Sequence, residues 1–534
     1  MNHIKKSVRI NYTSFIGAVF LCGALPSSAL AADITVNNAG ELNSALQTAG
    51  SGDTIILNDG NYNGNFNINS GGSQNGQLTI RAANQGEAEF NNKITVNARY
   101  VTLDGLHFIG AGRIDAKQAD FVLRNSSFFN STATDWFLGN QNMRNSLIEN
   151  NRFEFKNNKG NMIWLRNSNN SLQNTVVRGN YFKRFDSGGG ANGWETLKLG
   201  LGSESGTGGF TIENNLFEDA NGERENISVK CGDNIVRHNV FLDSSGEVVF
   251  RRGENNQAYG NYFIRDDAAE AGGIRIQDRD NKIFNNYFEN LPGFAIMLME
   301  GNTDQSVPHY KKVVNAQIVH NTIVNSGGAF EVGQRNAFVA GGTSLPPENS
   351  TISNNVVVDT DKVFQFAEFT PVNFTYQGNI RQNSPWGDLN PGGFITSNPQ
   401  FQNSTINGYQ LKTPGGGSPV INGAIGTFAF LTDDLFGNPR NTPDVGAIEV
   451  PFTPQTIQPV SASDVGPSLG GGNTVTQRIE AEDYDTQNNT ALLNKDGGTV
   501  VEMQGGTARY NNVDFGTGVS SVDVRVASQA GNSL

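Results

Sequence analysis

The sequence predicts an all-β fold, a right-handed parallel β-helix, and three observations predict it. First, a six-residue pattern of the form apolar, any, any, Asn, any, apolar recurs along the chain, and its Asn residues stand at 151, 180, 215, 239, 261, 286, 321 and 355. Their spacings are 29, 35, 24, 22, 25, 35 and 34. A floor near 22 with longer intervals above it marks solenoid coils that carry loops of variable length. Second, the apolar stretches are short, Asn and Gly punctuate them, and no long amphipathic helical stretch lies between repeats. Third, 63 Gly and 34 Phe against only 17% charged residues is the composition of a β-rich, turn-rich chain. At 534 residues the chain exceeds an ordinary compact domain, which a solenoid accommodates because its core grows lengthwise.

Residues 1–31 read as a secretory signal. Lys5, Lys6 and Arg9 precede an apolar run from Phe15 to Leu25, and Ala29-Leu30-Ala31 supplies the small-residue cleavage pattern. That run is too short to anchor in a bilayer. Removing it takes three cations and no acids from a formal charge of -13, leaving -16, which disfavours nucleic acid as a partner. Cys22 falls inside the signal, so Cys231 is the only mature cysteine and is expected to be a packed thiol. The sequence therefore predicts a soluble bacterial protein, secreted or periplasmic, monomeric and without a membrane span.

Residues 40–50 read as a short helix capping the N-terminal end of the solenoid, which needs its ends covered. The β-helix is expected over 32–450. The recurring Asn reads as a stack of side-chain amides at a turn, where Asn also tolerates a left-handed backbone. His107, His238 and His320 fall at repeat or turn positions and read as structural. Residues 451–475, rich in Pro, Ser, Thr and Gly, read as a linker. Residues 476–534 form a separate β-rich segment, and Arg478 to Tyr484 with Tyr510 to Gly516 resemble the start of a family 6 carbohydrate-binding module. Only half of such a module is present, an incomplete β-sandwich with uncovered strand edges, so no sugar binding is expected of it.

The chemistry concentrates between Asn192 and Arg275. Lys198, Lys230, Arg251 and Arg275 each sit in a short apolar stretch, Leu197 to Leu199, Val229 to Cys231, Phe250 to Arg252 and Ile274 to Ile276. Alternation along a strand points the apolar neighbours inward and the cation outward, so stacked coils would carry a basic ladder. A basic stripe on an acidic protein suits a polyanion such as a polyuronate. Glu223 and Glu225, one residue apart, with an amide oxygen from the preceding coil, suit a hard cation, and calcium is expected. Trp164 and Trp194 are candidates either to stack on sugar rings or to plug the packing.

This region resembles the family 6 polysaccharide lyases, which include alginate lyases and the dermatan-cleaving chondroitinase B. The match consists of Asn192-Gly193, Gly222-Glu223-x-Glu225, the lysine five residues later, and Arg251-x-Gly253 one coil on. The resemblance implies calcium ligands Asn192, Glu223 and Glu225, joined by Glu195. It implies Lys230 as base and Arg251 as acid. Arg252 stands where many members carry His, which bears on substrate preference.

Physical chemistry supports the same roles. β-Elimination from a 4-linked uronate removes a weakly acidic C5 proton beside a carboxylate, and a divalent cation lowers that cost. A lysine beside other cations loses its proton more readily and can act as base, whereas arginine stays charged and suits donation toward the leaving O4. Arg252, Arg275 and Lys198 are expected on substrate carboxylates. The expected substrate is an anionic polysaccharide, alginate first and dermatan sulfate second. A pectin-type hydrolase needs paired acids; Asp266-Asp267 and Arg275 to Gln277 resemble that pattern faintly, but the Gly-His-Gly between them is absent. A non-catalytic polysaccharide-binding β-helix shares the fold, but has no reason to assemble Glu223, Glu225, Lys230 and Arg251.

Overall fold

Each coil lays down three short strands, and successive coils stack them into three parallel sheets. In the coil that carries the site these strands are Thr211–Glu213, Leu216–Ala220 and Glu225–Lys230. The first sheet has 14 strands, from Asp33–Val36 to Thr375–Gln377, the second 14, from Gly60–Asn61 to Phe394–Thr396, and the third 12, from Phe66–Ile68 to Phe364–Phe366. This is a parallel β-helix. The computed structural model describes residues 31–167, 172–186, 192–201, 206–265, 272–303, 310–334, 344–366, 370–451, 457–467, 486–495 and 498–509. The signal (but for Ala31), Asp266-Asp267, and the segments 478–484 and 510–516 lie outside the described residues.

The recurring Asn residues form one continuous stack. From Asn151 to Asn379 each Nδ2 donates to the Oδ1 of the next coil's Asn at 2.9–3.0 Å. Each Nδ2 also donates to a first-sheet carbonyl of the preceding coil, as Asn239 does to Ile212 O at 2.9 Å, so these buried amides are satisfied. The left-handed residue is the one before the stacked Asn: Asn150, Gly179, Asn214, His238, Gly260, Asn285, His320, Asn354 and Gly378 all have φ between 51° and 66°. The stacked Asn was expected to exploit a left-handed backbone; its predecessor does so, which frees the Asn side chain to point into the core. Two places later the apolar position builds an aromatic column. Phe108, Phe128, Phe153, Phe182, Phe217, Phe241, Phe263 and Phe288 stack with centroids 4.4–5.1 Å apart.

The cap helix spans Ala39–Thr48. The Asn38 side chain accepts from the Glu41 amide, and Glu41 in turn accepts from the Asn37 amide at 2.8 Å, a reciprocal cap. Leu42, Ala45 and Leu46 bury one face against the first strands of the first and third sheets.

Regular coils end at Phe394–Thr396. Beyond them the antiparallel pair Phe401–Ile406 and Tyr409–Pro414 and the irregular chain to 451 fold back onto the second sheet, where Leu411, Leu435, Phe436 and Ile448 pack with Tyr181, Leu216, Val240 and Tyr262. Within the stretch read as linker, residues 457–467 also join this layer: Val465 is buried and Gly466 N–H donates to Gly179 O at 2.8 Å. Further on, Thr486–Lys495 and Gly498–Arg509 form an antiparallel hairpin. Cys231 is buried beside Gly200 and Gly208, its thiol pushed up to about 12 by burial. Among the described residues no helix is long and apolar enough to cross a membrane.

Candidate functional site

The third sheet carries the site, and its register decides which side chains meet. Trp164, Lys198, Ser228, Val249, Arg275, Met297 and Glu331 occupy one row across seven strands. Lys230 lies two residues further along its strand, opposite Arg252, beyond a register shift between Val229 and Lys230. The single basic ladder expected from the four apolar stretches is therefore not formed. Lys198 and Arg275 share one row, Lys230 and Arg252 another, and the shift leaves Arg251 in between. Lys230 is also not solvated, being only 7% exposed.

The cations turn toward buried carboxylates. Glu195, which is fully buried, receives Lys230 Nζ at 3.1 Å and Lys198 Nζ at 3.2 Å on one oxygen, and Asn161 Nδ2 at 2.9 Å on the other. Glu225 Oε1 accepts from Arg251 Nη1 at 3.2 Å and Arg275 Nη2 at 3.1 Å, while Ser228 donates to Oε2. Glu223 Oε2 accepts the Gly193 amide at 3.1 Å, and its Oε1 is buried with no hydrogen-bond partner. Arg224, which lies between the two acids in sequence, bonds Glu247 at 2.7 Å.

Oxygens of Glu195, Glu223 and Glu225 lie within 4.8 Å of one another. The electrostatics follow. Burial pushes Glu195 up, but Lys230 and Lys198 outweigh it and hold the carboxyl at about 2. Glu223 has no such cation; burial first, then Glu195 and Glu225, push it up to about 7. Burial drives Lys230 below the usual lysine range, reinforced by Lys198 and Arg251 and opposed by Glu195. Burial lowers Arg252, and Arg251 adds to the effect. Three clustered carboxylates, one with an orphaned buried oxygen, are the donor set that a hard divalent cation fits. Asn192 is exposed at the rim, and its segment closes on the cluster through the Gly193 amide.

Several participants escaped the sequence reading. Glu247, fully buried, lies opposite Glu225 one coil on and reaches Arg275 Nε at 3.2 Å. The interval of 22 between the two acids equals the shortest coil and was a usable signal. Tyr310, whose hydroxyl accepts from Arg251 Nη2 at 2.8 Å, had no such signal. Trp164 lies on the third sheet, half-buried, with Arg166 at 4.2 Å and Lys198 at 5.0 Å over its ring. Trp194 packs on Phe185 at 5.8 Å as a plug.

A family model described as Chondroitinase B matches residues 36–414. Among solved structures, the PL6 family alginate lyase AlyGC is 22% identical with a TM-score of 0.66, covering 82% of this chain and 58% of that one. A PL6 family polysaccharide lyase of Pseudopedobacter saltans is 24% identical with a TM-score of 0.58, over 67% of this chain and 96% of its own. A mannuronic acid specific family 6 lyase from human gut microbiota is 23% identical with a TM-score of 0.55, over 66% and 86%. At these identities the likeness is one of fold, and the chain spans little more than half of AlyGC. No curated protein sequence matches the chain.

Proposed function

The chain belongs to the chondroitinase B family, akin to the family 6 polysaccharide lyases, and from that premise we propose that it cleaves 4-linked uronate polymers, alginate first, by β-elimination. The observation that carries this reading is a buried lysine held 3.1 Å from one carboxylate of a three-acid cluster, with an arginine of the next coil on the same cluster.

In this reading Lys230 takes the C5 proton. Burial makes its neutral amine accessible, and Glu195 orients Nζ. Glu195, Glu223 and Glu225, with Asn192 at the rim, would hold calcium, whose charge when bound neutralises the substrate carboxylate and favours loss of that proton. Arg251 stands on the leaving side, toward O4. Arg252 carries buried Nε and Nη1 atoms without partners and is assigned to a substrate carboxylate. Lys198 and Arg275 already bind Glu195, Glu225 and Glu247, so their first duty is to hold the acids in place and their second to attract the polymer. Export directed by residues 1–31 suits a polymer too large to enter a cell.

The family match favours dermatan sulfate as the second substrate reading. Mass spectrometry of the products tests the reaction class. Elimination leaves an unsaturated uronate at the new non-reducing end; products heavier by one water would mean hydrolysis and overturn the proposal.

A further inference from the structure

Glu247 is a fully buried carboxylate that stands opposite Glu225 in the third-sheet ladder, one coil on. Neighbouring strands lie about 4.8 Å apart, so two acids paired in register repel, and burial raises the cost of both. An apolar residue would serve the scaffold at least as well. What Glu247 holds accounts for its place. Its backbone N–H donates to Arg224 O at 2.8 Å, and its Oε1 accepts from Arg224 Nε at 2.7 Å. Arg224 is the residue between Glu223 and Glu225, so one residue of the next coil grips it at both its carbonyl and its guanidinium. The other oxygen, Oε2, stands 3.2 Å from Arg275 Nε, while Arg275 Nη2 donates to Glu225 Oε1 at 3.1 Å, so a single guanidinium bridges the two facing acids.

The bend that carries the two ligand acids is irregular and needs such a hold. The ladder shifts register between Glu225 and Ile227, which makes Asn226 an extra residue and puts Glu225 on the shoulder of a bulge, a feature that re-aims side chains. On the opposite side of the bend Gly222 packs so closely that a Cβ there would lie 2.4 Å from Trp194 O, next to Glu195. The bend is therefore fixed between the coil of Glu195 and the coil of Glu247. We propose that Glu247 is a positioning residue of the calcium site: it clamps Arg224, and through Arg224 and Arg275 it sets where the Glu223 and Glu225 carboxylates stand. The proposal rests on the calcium reading above and deepens it.

The test is calorimetric titration of the mature protein with calcium chloride, comparing wild type with Arg224→Met, Glu247→Gln, Glu247→Leu and the double variant Arg224→Met with Glu247→Leu. Charge alone and position predict opposite signs for Arg224→Met. Removing a cation beside three acids would tighten calcium if only charge mattered, whereas losing the clamp should weaken it by about 10–100-fold. Glu247→Leu should weaken calcium to a similar extent, and the double variant should lose no more than about threefold beyond Glu247→Leu, because both substitutions break one clamp. Glu247→Gln keeps an acceptor for Arg224 and should stay within about tenfold of wild type. Glu247 also offsets the charge of the fully buried Arg265, so a folding defect in Glu247→Leu leaves the decision to Arg224→Met, whose side chain is 53% exposed, and to Glu247→Gln. Calcium held by Arg224→Met as tightly as by wild type, or more tightly, overturns the proposal, as do losses that simply multiply in the double variant. Wild type that takes up no calcium overturns the calcium reading itself, an outcome visible before any variant is compared.

Discussion

Glu223 is the member of the acid cluster whose charge is least compensated, and replacing it by glutamine gives a result with a definite sign. Two unit charges at the cluster's 4.8 Å reach repel by about 3.5 kcal/mol at an effective dielectric of about 20. Glu195 offsets its share with two lysines and Glu225 with two arginines, at 3.1–3.2 Å each, whereas Glu223 has the Gly193 amide and a buried unpaired oxygen. Its carboxyl is accordingly pushed up from 4.5 to about 7. That difference, at about 1.36 kcal/mol per pH unit, is about 3 kcal/mol, and screening of a half-buried group reduces it to about 1–2 kcal/mol. A carboxyl raised on folding favours the folded state fully below pH 4.5, and this contribution is lost as pH rises through about 7. In chelator at pH 8, Glu223→Gln should therefore be more stable than wild type by about 1–2 kcal/mol, an advantage that fades below about pH 5. With Glu223 among the proposed calcium ligands, added calcium should reverse the order, because a ligand that binds only the folded state stabilises it and the variant would hold the ion less tightly. Urea unfolding at both pH values, with chelator and with calcium, reads this directly. A variant less stable than wild type in chelator at pH 8 would show that Glu223 is not an uncompensated charge, and an equal calcium shift in both proteins would show that it is not a ligand.

Other substitutions separate the site from its scaffold. Lys230→Ala should lower turnover by at least about 10²-fold while the urea midpoint stays close to wild type, because Glu195 keeps Lys198 and Asn161. Asn239→Ala leaves the buried Asn215 backbone N–H without its acceptor and removes the bonds that the Asn239 side chain makes to Asn215 Nδ2, Ile212 O and Asn261 Oδ1, and should cost about 2–4 kcal/mol in denaturant unfolding. Truncation after residue 467 should leave turnover unchanged, whereas truncation at 455 also removes buried Val465 and should lower the unfolding midpoint.

Much of the scaffold was legible because the physics repeats once per coil. A stacked amide must find another amide at the next coil, so Asn151 to Asn355 declare the solenoid, and the Phe two places on declares its core. The cap helix was legible from the local run 40–50, and the Asn38 cap with Glu41 starts it one residue earlier, at Ala39. The site was legible only in part. Glu223, Glu225, Lys230 and Arg251 lie close in sequence and meet in space, but the shift at Val229 moves Lys230 out of the row of Lys198 and Arg275, and no composition signal announces such an irregularity. Tyr310 reaches the site from 59 residues beyond Arg251, a tertiary contact without periodicity. The end of the coils was also hidden, because residues 397–451 keep β-like composition while folding back over the second sheet.

In the function proposed above, this β-helix eliminates across a uronate linkage with Lys230 as base and calcium in the acid cluster. Ultraviolet absorbance of new unsaturated uronate ends, followed with the mature protein on alginate, dermatan sulfate and polygalacturonate with and without calcium, tests it most directly. The expected result is a calcium-dependent rise on alginate that Lys230→Ala abolishes. New reducing ends without that absorbance, or a rise undiminished in Lys230→Ala or in a metal-free preparation, would contradict it.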